Sequence, residues 1–174
     1  MSLDRRIVYT RKAIKKALYK LLNESSLEQI TVKEICAEAE INRATFYRNY
    51  QDIFDLFESL EKELIFEAFP DGWTGTDKSQ LIYVIYENQT FYKEFFRSHI
   101  ESPYIKSVIA EGYEETLSFM KDKKEFSENN FHYSFQYMLH GILGVLREWL
   151  DNGCIEPPDE FTNIIFGMAE KQFK

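Results

Sequence analysis

The sequence predicts an all-α protein with a small N-terminal helix-turn-helix domain and a larger C-terminal helical domain. Apolar residues recur at helical spacing through most of the 174 residues, and the only four prolines and seven glycines fall mostly between those stretches. Residues 31–50 contain two short helical patterns joined by a tight turn. We therefore predict a three-helix domain over residues 1–50 and a helical domain over residues 51–174.

The first predicted helix is amphipathic. Its apolar stripe follows the i, i+3, i+4, i+7 spacing of a buried helix face and consists of Ile14, Ala17, Leu18, Leu21 and Leu22. The opposite face is basic. We expect Arg5 and Arg6 to lie near phosphates if this end binds nucleic acid, and the later lysines to face mostly solvent.

Two capping signals mark the helix-turn-helix. Thr31 is a plausible N-cap for the first of its helices, and Glu34, three residues later, completes a capping-box pattern. Asn42 is a plausible N-cap for the second helix. Between the two helices, Glu40 and Ile41 leave room only for a sharp turn.

The second helix of such a unit lies in the major groove of DNA, so its polar residues are candidate contacts. An arginine pairs with phosphate or guanine, and an amide can bind a base edge. The alternative is a solvent-facing helix that is polar by chance. Phe46 is expected to be buried, and Tyr50 either reaches a phosphate or packs. The candidate DNA-binding residues are Thr31, Val32, Asn42, Arg43, Ala44, Thr45, Tyr47, Arg48, Asn49, Tyr50 and Gln51.

Residues 7–60 resemble the DNA-binding domain of the TetR (tetracycline-repressor) family of bacterial transcription regulators. The resemblance rests on residues 30–56, with an I-T-V-x-x-I entry into the second helix and a T-[FL]-Y core in the third. Here these are residues 30–35 and Thr45-Phe46-Tyr47. The resemblance implies a homodimeric regulator that binds a double-stranded DNA operator. It also implies a small-molecule effector.

Two positions depart from the family pattern. The family usually has glycine where this chain has Glu40, and a left-handed backbone there would cost a non-glycine residue about 1 kcal/mol. We expect a slightly altered turn or tolerated strain. The family also tends to have lysine where this chain has Ile53. Because isoleucine cannot bind a phosphate, we expect weaker and less salt-dependent DNA binding than in relatives.

The charge is divided unequally along the chain. The whole chain carries a net charge of −8, which argues against a general nucleic-acid coat protein. Residues 1–50 hold ten Lys/Arg against six Asp/Glu, a net +4, whereas the remainder is −12. This distribution confines DNA contact to the N-terminal end.

Five helical stretches are predicted after residue 50, over residues 51–69, 81–96, 102–120, 131–150 and 160–173. Residues 70–76 and 121–130 are expected to be breaks between them. No transmembrane span or signal peptide is recognised, and the two isolated cysteines fit reduced thiols. We therefore expect a cytoplasmic protein without a membrane partner.

The last two helices are the predicted homodimer interface. Gly141 and Gly144 would let another helix approach closely, within an apolar face formed by Phe135, Met138, Leu139, Ile142, Leu146 and Trp149, with Ile164, Ile165, Phe166 and Met168 on the last helix. The alternative is an ordinary intramolecular core. In the TetR family these helices commonly form a four-helix interface. Residues 141–161, with a W-L-x-x-G turn, also resemble a C-terminal subgroup that includes relatives of the dihydroxyacetone-kinase operon regulator.

Aromatic residues are dense among the middle helices and suit a pocket for an aromatic or amphipathic ligand. Plain core packing is the alternative. The candidate ligand-binding residues are Phe57, Tyr83, Tyr86, Phe91, Phe95, Tyr104, Tyr113 and Tyr137. The expected function is a repressor released from an inverted-repeat operator by a small molecule. The alternatives are a DNA-binding co-activator whose helical domain binds a partner protein, and a ligand-binding or enzymatic protein that has lost its DNA role.

Catalysis has no support in the sequence. The three histidines, His99, His132 and His140, do not have the spacing of a metal site, and no phosphate-binding loop or nucleophile elbow is present. We predict no enzyme activity, no cofactor and no metal. Cys36 is expected on the buried side of a helix and Cys154 in a late loop.

Overall fold

The computed structural model describes residues 2–70, 79–98, 102–121 and 127–172. These residues contain α-helices and one short 3-10 helix (Leu27–Gln29), and the described ranges contain no strand, so the all-α prediction is confirmed. The α-helices are α1 (Ser2–Leu22), α2 (Val32–Glu38), α3 (Arg43–Tyr47), α4 (Ile53–Ala68), α5 (Ser79–Glu87), α6 (Gln89–Ser98), α7 (Pro103–Lys121), α8 (Glu128–Asp151) and α9 (Pro158–Gln172).

The helical stretches predicted after residue 50 correspond to α4–α9, with one correction. The stretch predicted over residues 81–96 as one helix is two helices, α5 and α6, separated at Asn88. The side-chain Nδ2 of Asn88 donates a hydrogen bond to the Val84 carbonyl at 2.8 Å and so caps the C-terminal end of α5. Most of the predicted breaks, residues 71–76 and 122–126, lie outside the described residues, as do His99 and residue 173.

The chain forms two compact units. The first unit consists of Met1–Glu63 and Thr90–Ile100, and the second of Leu64–Gln89 and Glu101–Lys174. The first unit therefore includes α6 from Thr90 onwards, which no local sequence pattern assigns to it. The predicted division between residues 50 and 51 falls inside the first unit, and it stays a prediction.

The core of the first unit is built from one face of each of its helices. On α1, Ile14, Ala17 and Leu18 are buried, as the amphipathic pattern predicts. From α6, Phe91 stacks on Phe57 of α4 with ring centroids 4.3 Å apart. The buried Glu94 accepts a hydrogen bond from the Leu27 N–H at 2.8 Å, so a carboxylate from α6 binds the first amide of the 3-10 helix.

Ion pairs tie α1 to its neighbours. Lys20 lies 2.7 Å from the Glu38 carboxylate on α2, and Lys15 pairs with Glu63 on α4. The prediction that the later lysines of α1 face mostly solvent is therefore wrong for Lys15, whose side chain is largely covered, whereas Lys20 makes its ion pair at the exposed surface. Lys12 and Lys16 are exposed, as predicted. The positive charge that remains available on α1 lies mainly on its outer face and towards its N-terminal end.

In the second unit, α9 packs against both α5 and α8. Trp149 near the end of α8 stacks on Phe161 of α9 with centroids 4.0 Å apart, and its indole N–H donates to the Glu156 carbonyl at 3.1 Å. A separate cluster joins α7 to the beginning of α8 through Leu117, Phe131 and Phe135. None of the described helices is long and apolar enough to cross a bilayer.

Candidate nucleic-acid interface

The predicted capping box at the start of α2 is confirmed. The Thr31 hydroxyl accepts a hydrogen bond from the Glu34 N–H at 3.3 Å, and the Glu34 carboxylate accepts one from the Thr31 N–H at 2.8 Å. These hydrogen bonds from Thr31 hold the pKa of Glu34 below its usual value. The reciprocal pair satisfies amides that a helix start would otherwise leave without partners, and it fixes where α2 begins.

The turn after α2 is a Schellman motif with a glutamate in the position that favours glycine. The Glu40 N–H donates to the Ala37 carbonyl at 3.3 Å and the Ile41 N–H to the Cys36 carbonyl at 3.0 Å. Glu40 has φ 53°, which is the left-handed conformation. Of the two expectations for Glu40, tolerated strain is the one that the structure shows. The glutamate adopts the left-handed conformation, and the turn keeps its usual hydrogen bonds.

Asn42 caps α3, as predicted. Its side-chain oxygen accepts a hydrogen bond from the Thr45 N–H at 2.8 Å. The fully buried Phe46 anchors the helix, and its ring meets that of Tyr47 edge-on at 5.5 Å. Tyr47 is 54% exposed, and Arg43 and Arg48 are exposed as well. The helix and its C-cap residue Arg48 thus present two guanidinium groups and a phenol to the outside, while the buried ring of Phe46 holds the helix to the core.

Tyr50 packs inside the first unit and is not available at the surface. Its side chain is 4% exposed, and its ring lies 5.9 Å from that of Phe46. Burial raises the pKa of Tyr50, and the charge of Arg11 opposes that shift. Of the two alternatives for Tyr50, the packing interpretation is the correct one, because a buried hydroxyl cannot reach a phosphate. Ile53 is also buried, so it forms part of the core at the start of α4.

The other predicted DNA-binding residues fall into two groups by exposure. Val32, Thr45 and Asn49 are half-buried. The exposed group contains Thr31, Asn42, Arg43, Ala44, Tyr47, Arg48 and Gln51. As DNA contacts, all of these residues stay predictions.

Arg11 was not among the predicted DNA-binding residues. It lies on α1, and its Nε–H donates to the Asn49 side-chain oxygen at 3.3 Å, just beyond the end of α3. The partners are 38 residues apart in the sequence. Only the basic character of α1 pointed towards Arg11, because local patterns do not show which of its charges lies beside α3.

The candidate ligand-binding residues do not form one group. Phe57, Phe91 and Phe95 lie together in the core of the first unit. In the second unit, Tyr83 donates to the Asp159 carboxylate at 2.5 Å, and this hydrogen bond raises the pKa of Tyr83. The remaining members are Tyr86, which stacks on Trp149, Tyr113, which packs on Phe131 and Phe135, the half-buried Tyr104, and the exposed Tyr137. As a ligand site, this set stays a prediction.

The predicted dimer face on α8 needs a correction. Phe135, Leu146 and Trp149 are buried within the protomer, so this face is an intramolecular core. Gly141 and Gly144 are exposed instead, and a Cβ added at either would meet no atom within 4 Å. The exposed side of α8 also carries Tyr133 and Tyr137, and α9 exposes Ile164 and Met168. We call these six residues the α8–α9 outer surface.

Within the described residues, no group of three or more His, Cys, Asp or Glu side chains is placed to hold a metal ion. Cys36 and Cys154 are both buried, and neither is part of a disulfide. Burial raises the pKa of Cys36, while the nearby charge of Arg43 acts in the opposite direction. Cys36 thus lies on the buried side of α2, as predicted, and is a core residue of the helix-turn-helix.

Comparisons with known proteins agree with this geometry. A TetR family model described as "Transcriptional regulator C-terminal region" matches residues 79–171. The "HTH-type dhaKLM operon transcriptional activator DhaS" of Lactococcus lactis subsp. lactis (strain IL1403) is 26% identical over 153 residues, which cover 84% of this chain and 82% of that relative.

Two solved structures share the fold. "Dihydroxyacetone kinase operon activator DhaS" has a TM-score of 0.62 at 22% identity and covers 94% of this chain and 96% of its own. The TetR transcriptional regulator from Streptococcus agalactiae 2603V has a TM-score of 0.67 at 22% identity and covers 97% of each chain. Because the family model alone covers more than half of the sequence, the chain belongs to the TetR family of transcriptional regulators and is not an enzyme.

Proposed function

We propose that this regulator binds a double-stranded DNA operator with α3 in the major groove. The observation that carries the proposal is the division of α3 into a buried Phe46 and an exposed outer side with Arg43, Tyr47 and Arg48. Guanidinium groups pair with phosphates or with guanine, and the tyrosine hydroxyl suits a phosphate oxygen. The exposed Arg5 and Arg6 of α1 are further candidates for phosphate contacts.

The protein acts as a homodimer in this proposal, and the two copies pair through the α8–α9 outer surface. An exposed face of α8 with two glycines lets a second helix approach closely, and the exposed tyrosines of α8 and the exposed Ile164 and Met168 of α9 supply contact area. Two-fold symmetry then relates the two copies of α3. The operator is therefore an inverted repeat whose half-sites are one or more turns of roughly 10 base pairs apart.

For the effect on transcription, we propose repression that a small-molecule effector relieves. The effector releases DNA only to the extent that it binds the DNA-free conformation more tightly than the DNA-bound one. Of the candidate ligand-binding residues, the tyrosines of the second unit combine an apolar ring with a hydroxyl group, the chemistry that suits an aromatic or amphipathic ligand. The protein works in the cytoplasm in this account.

A second candidate function is supported by the relatives. DhaS, which resembles this chain over most of both sequences, is named as a transcriptional activator. In this alternative the chain binds DNA as a co-activator, and its helical body binds a partner protein. The two candidates share the DNA interface and differ in the sign of regulation and in what the second unit binds.

The first experiment selects a duplex from a random DNA library with the purified wild-type protein and measures binding by gel shift. Enrichment of an inverted repeat that the purified protein binds tightly supports the proposal. A reporter driven from that duplex then separates the candidates, because a repressor lowers expression and a co-activator raises it. Failure to enrich any sequence contradicts the proposed function.

The second experiment tests α3 itself. Arg43→Ala or Tyr47→Ala should weaken binding of the selected duplex about tenfold or more, because each removes a polar contact to DNA, often charge-assisted. Sedimentation should show an unchanged dimer. Lys121→Ala is the matched control, since it removes an exposed positive charge from the end of α7. Equal losses in the control and the α3 variants would count against a specific contact.

A further inference from the structure

Both polar atoms of the Asn49 side-chain amide form hydrogen bonds within the protein. Its Nδ2 donates to the Thr45 carbonyl at 2.8 Å, and its Oδ1 accepts from the Arg11 Nε–H at 3.3 Å. Because a carbonyl only accepts and a guanidinium only donates, these two partners fix which way the amide points. Asparagine recognises adenine by presenting both amide atoms to the base edge. The side chain does not make that presentation here.

Arg11 gains a fixed position from the same contact. The guanidinium has five N–H groups, and the hydrogen bond to Asn49 uses only the one on Nε. The two terminal nitrogens carry the other four, in the planar arrangement that binds a phosphate through two parallel hydrogen bonds. The Arg11 side chain is exposed, and the shift that its charge exerts on the pKa of Tyr50 is a second sign that it lies beside the end of α3.

We propose that Arg11 binds a phosphate of the operator backbone and that Asn49 is the positioning residue that holds its guanidinium beside α3. The inference rests on the proposed function, in which α3 enters the major groove. It changes the role of Asn49 from base recognition to support of a backbone contact. It also supplies a cation from α1 in a family member whose buried Ile53 cannot contact a phosphate.

The test measures binding of the selected duplex over a range of salt concentrations for Arg11→Ala, Asn49→Ala and the double variant. Lys16→Ala is the matched control, because it removes one exposed positive charge from the same helix. Arg11→Ala should lower affinity about tenfold or more, the effect of losing a charge-assisted hydrogen bond. The slope of log affinity against log salt is negative, and its magnitude should decrease by about 0.9 for each phosphate that the protein no longer neutralises. For a dimer on two half-sites the decrease should be about 1.8. Lys16→Ala should change both quantities less.

The double-variant cycle assigns the role of Asn49. If Asn49 acts through Arg11, Asn49→Ala weakens binding in the wild type, lowers the salt slope in the same direction, and has little further effect in the Arg11→Ala background. Base preferences measured with single-base-pair substitutions of the duplex should then stay unchanged. If Asn49 instead reads a base, its substitution relaxes preference at one position, leaves the salt slope intact, and adds to the Arg11→Ala loss. That result would overturn the proposal.

Two measurements keep the inference separate from the fold and from the proposed function. Thermal unfolding of each variant, followed by circular dichroism, shows whether Asn49→Ala lowers stability by removing the hydrogen bond to Thr45. That loss of stability should be equal in the wild-type and Arg11→Ala backgrounds. A wild-type protein that enriches no duplex contradicts the proposed function, and the inference fails with it. A wild type that binds tightly while Arg11→Ala matches Lys16→Ala contradicts the inference alone.

Discussion

Glu40 has a backbone conformation that suits glycine better than glutamate. A Schellman motif ends α2, and its C′ position needs a left-handed backbone, which glycine adopts without steric penalty. The end of α8 uses the same motif, with Gly153 at φ 80° in the equivalent position. The chain therefore has the favoured residue at one helix end and a strained substitute at the turn that sets the angle between α2 and α3.

Substitutions of Glu40 should change stability in a set order. Glu40→Gly removes a left-handed penalty of about 1 kcal/mol and returns roughly half of it through the greater freedom of the unfolded chain, so the net gain should be about 0.5 kcal/mol. Glu40→Val should destabilise by about 1 kcal/mol or more, because a β-branched residue is least suited to positive φ. Thermal unfolding followed by circular dichroism should show stability decreasing from glycine to glutamate to valine at position 40. A valine variant as stable as the wild type would show that the turn is not strained.

At the scale of the secondary-structure element, local chemistry accounts for what the sequence predicted well. Thr31 with Glu34 and Asn42 with Thr45 are neighbours in the chain, so their hydrogen bonds can be foreseen from spacing alone. The buried stripe of α1 follows from helical periodicity in the same way. The two caps place the start of α2 at residue 32 and that of α3 at residue 43, whereas the predicted pattern runs to Tyr50 and α3 ends at Tyr47.

The sequence did not indicate features that depend on contacts between distant segments. The placement of α6 in the first unit depends on a contact between Leu27 and Glu94, and that of Arg11 on a contact with Asn49, and no local pattern encodes either. The error on α8 was avoidable. Gly144 follows Phe135 by nine residues, which is about two and a half helical turns, so periodicity alone puts it on the opposite side of the helix.

The capping box of α2 should make stability depend on pH. Hydrogen bonds from Thr31 lower the pKa of Glu34, so this carboxylate stabilises the fold above its ordinary pKa, and the contribution is lost as pH falls through the lowered value. The difference in unfolding free energy between the wild type and Glu34→Gln should therefore shrink when urea unfolding is measured below about pH 4 instead of at neutral pH. Glu28→Gln, which changes an exposed carboxylate of the 3-10 helix, is the control. A difference that does not change with pH would contradict the role of the carboxylate charge.

For the whole molecule, the α8–α9 outer surface is the proposed contact between two copies. Groups of exposed apolar and aromatic side chains often mark interaction sites, and glycine in a helix interior lowers helix stability by about 1 kcal/mol relative to alanine. Close approach of a second helix would explain both features. The glycines have no packing role inside the protomer, because a Cβ at either position meets no neighbouring atom.

Gly144→Trp should convert the dimer to monomer without unfolding the protein. Position 144 is exposed and a Cβ there meets no neighbouring atom, so we expect the protomer to tolerate the indole, which would occupy the volume that a partner helix needs. Gly141→Trp should act in the same way. Analytical ultracentrifugation measures the association, and circular dichroism checks that the helices remain. Ser118→Trp on α7 is the control for adding an exposed indole. Unchanged sedimentation of both glycine variants would exclude this surface as the dimer contact.

The symmetry of a dimer makes the spacing of the operator half-sites the most direct test of the whole account. Both copies of α3 can bind one duplex only if the half-sites face the same side of it, and B-DNA repeats about every 10 base pairs. Inserting about 5 base pairs between the half-sites rotates one of them by roughly half a turn, so affinity should fall to that of an isolated half-site. Substituting central base pairs without changing the spacing should have a much smaller effect, limited to the altered deformability of the DNA. If the insertion leaves affinity in a gel shift unchanged, the two copies of α3 do not bind as a linked pair, and the proposed homodimer is not the DNA-binding species.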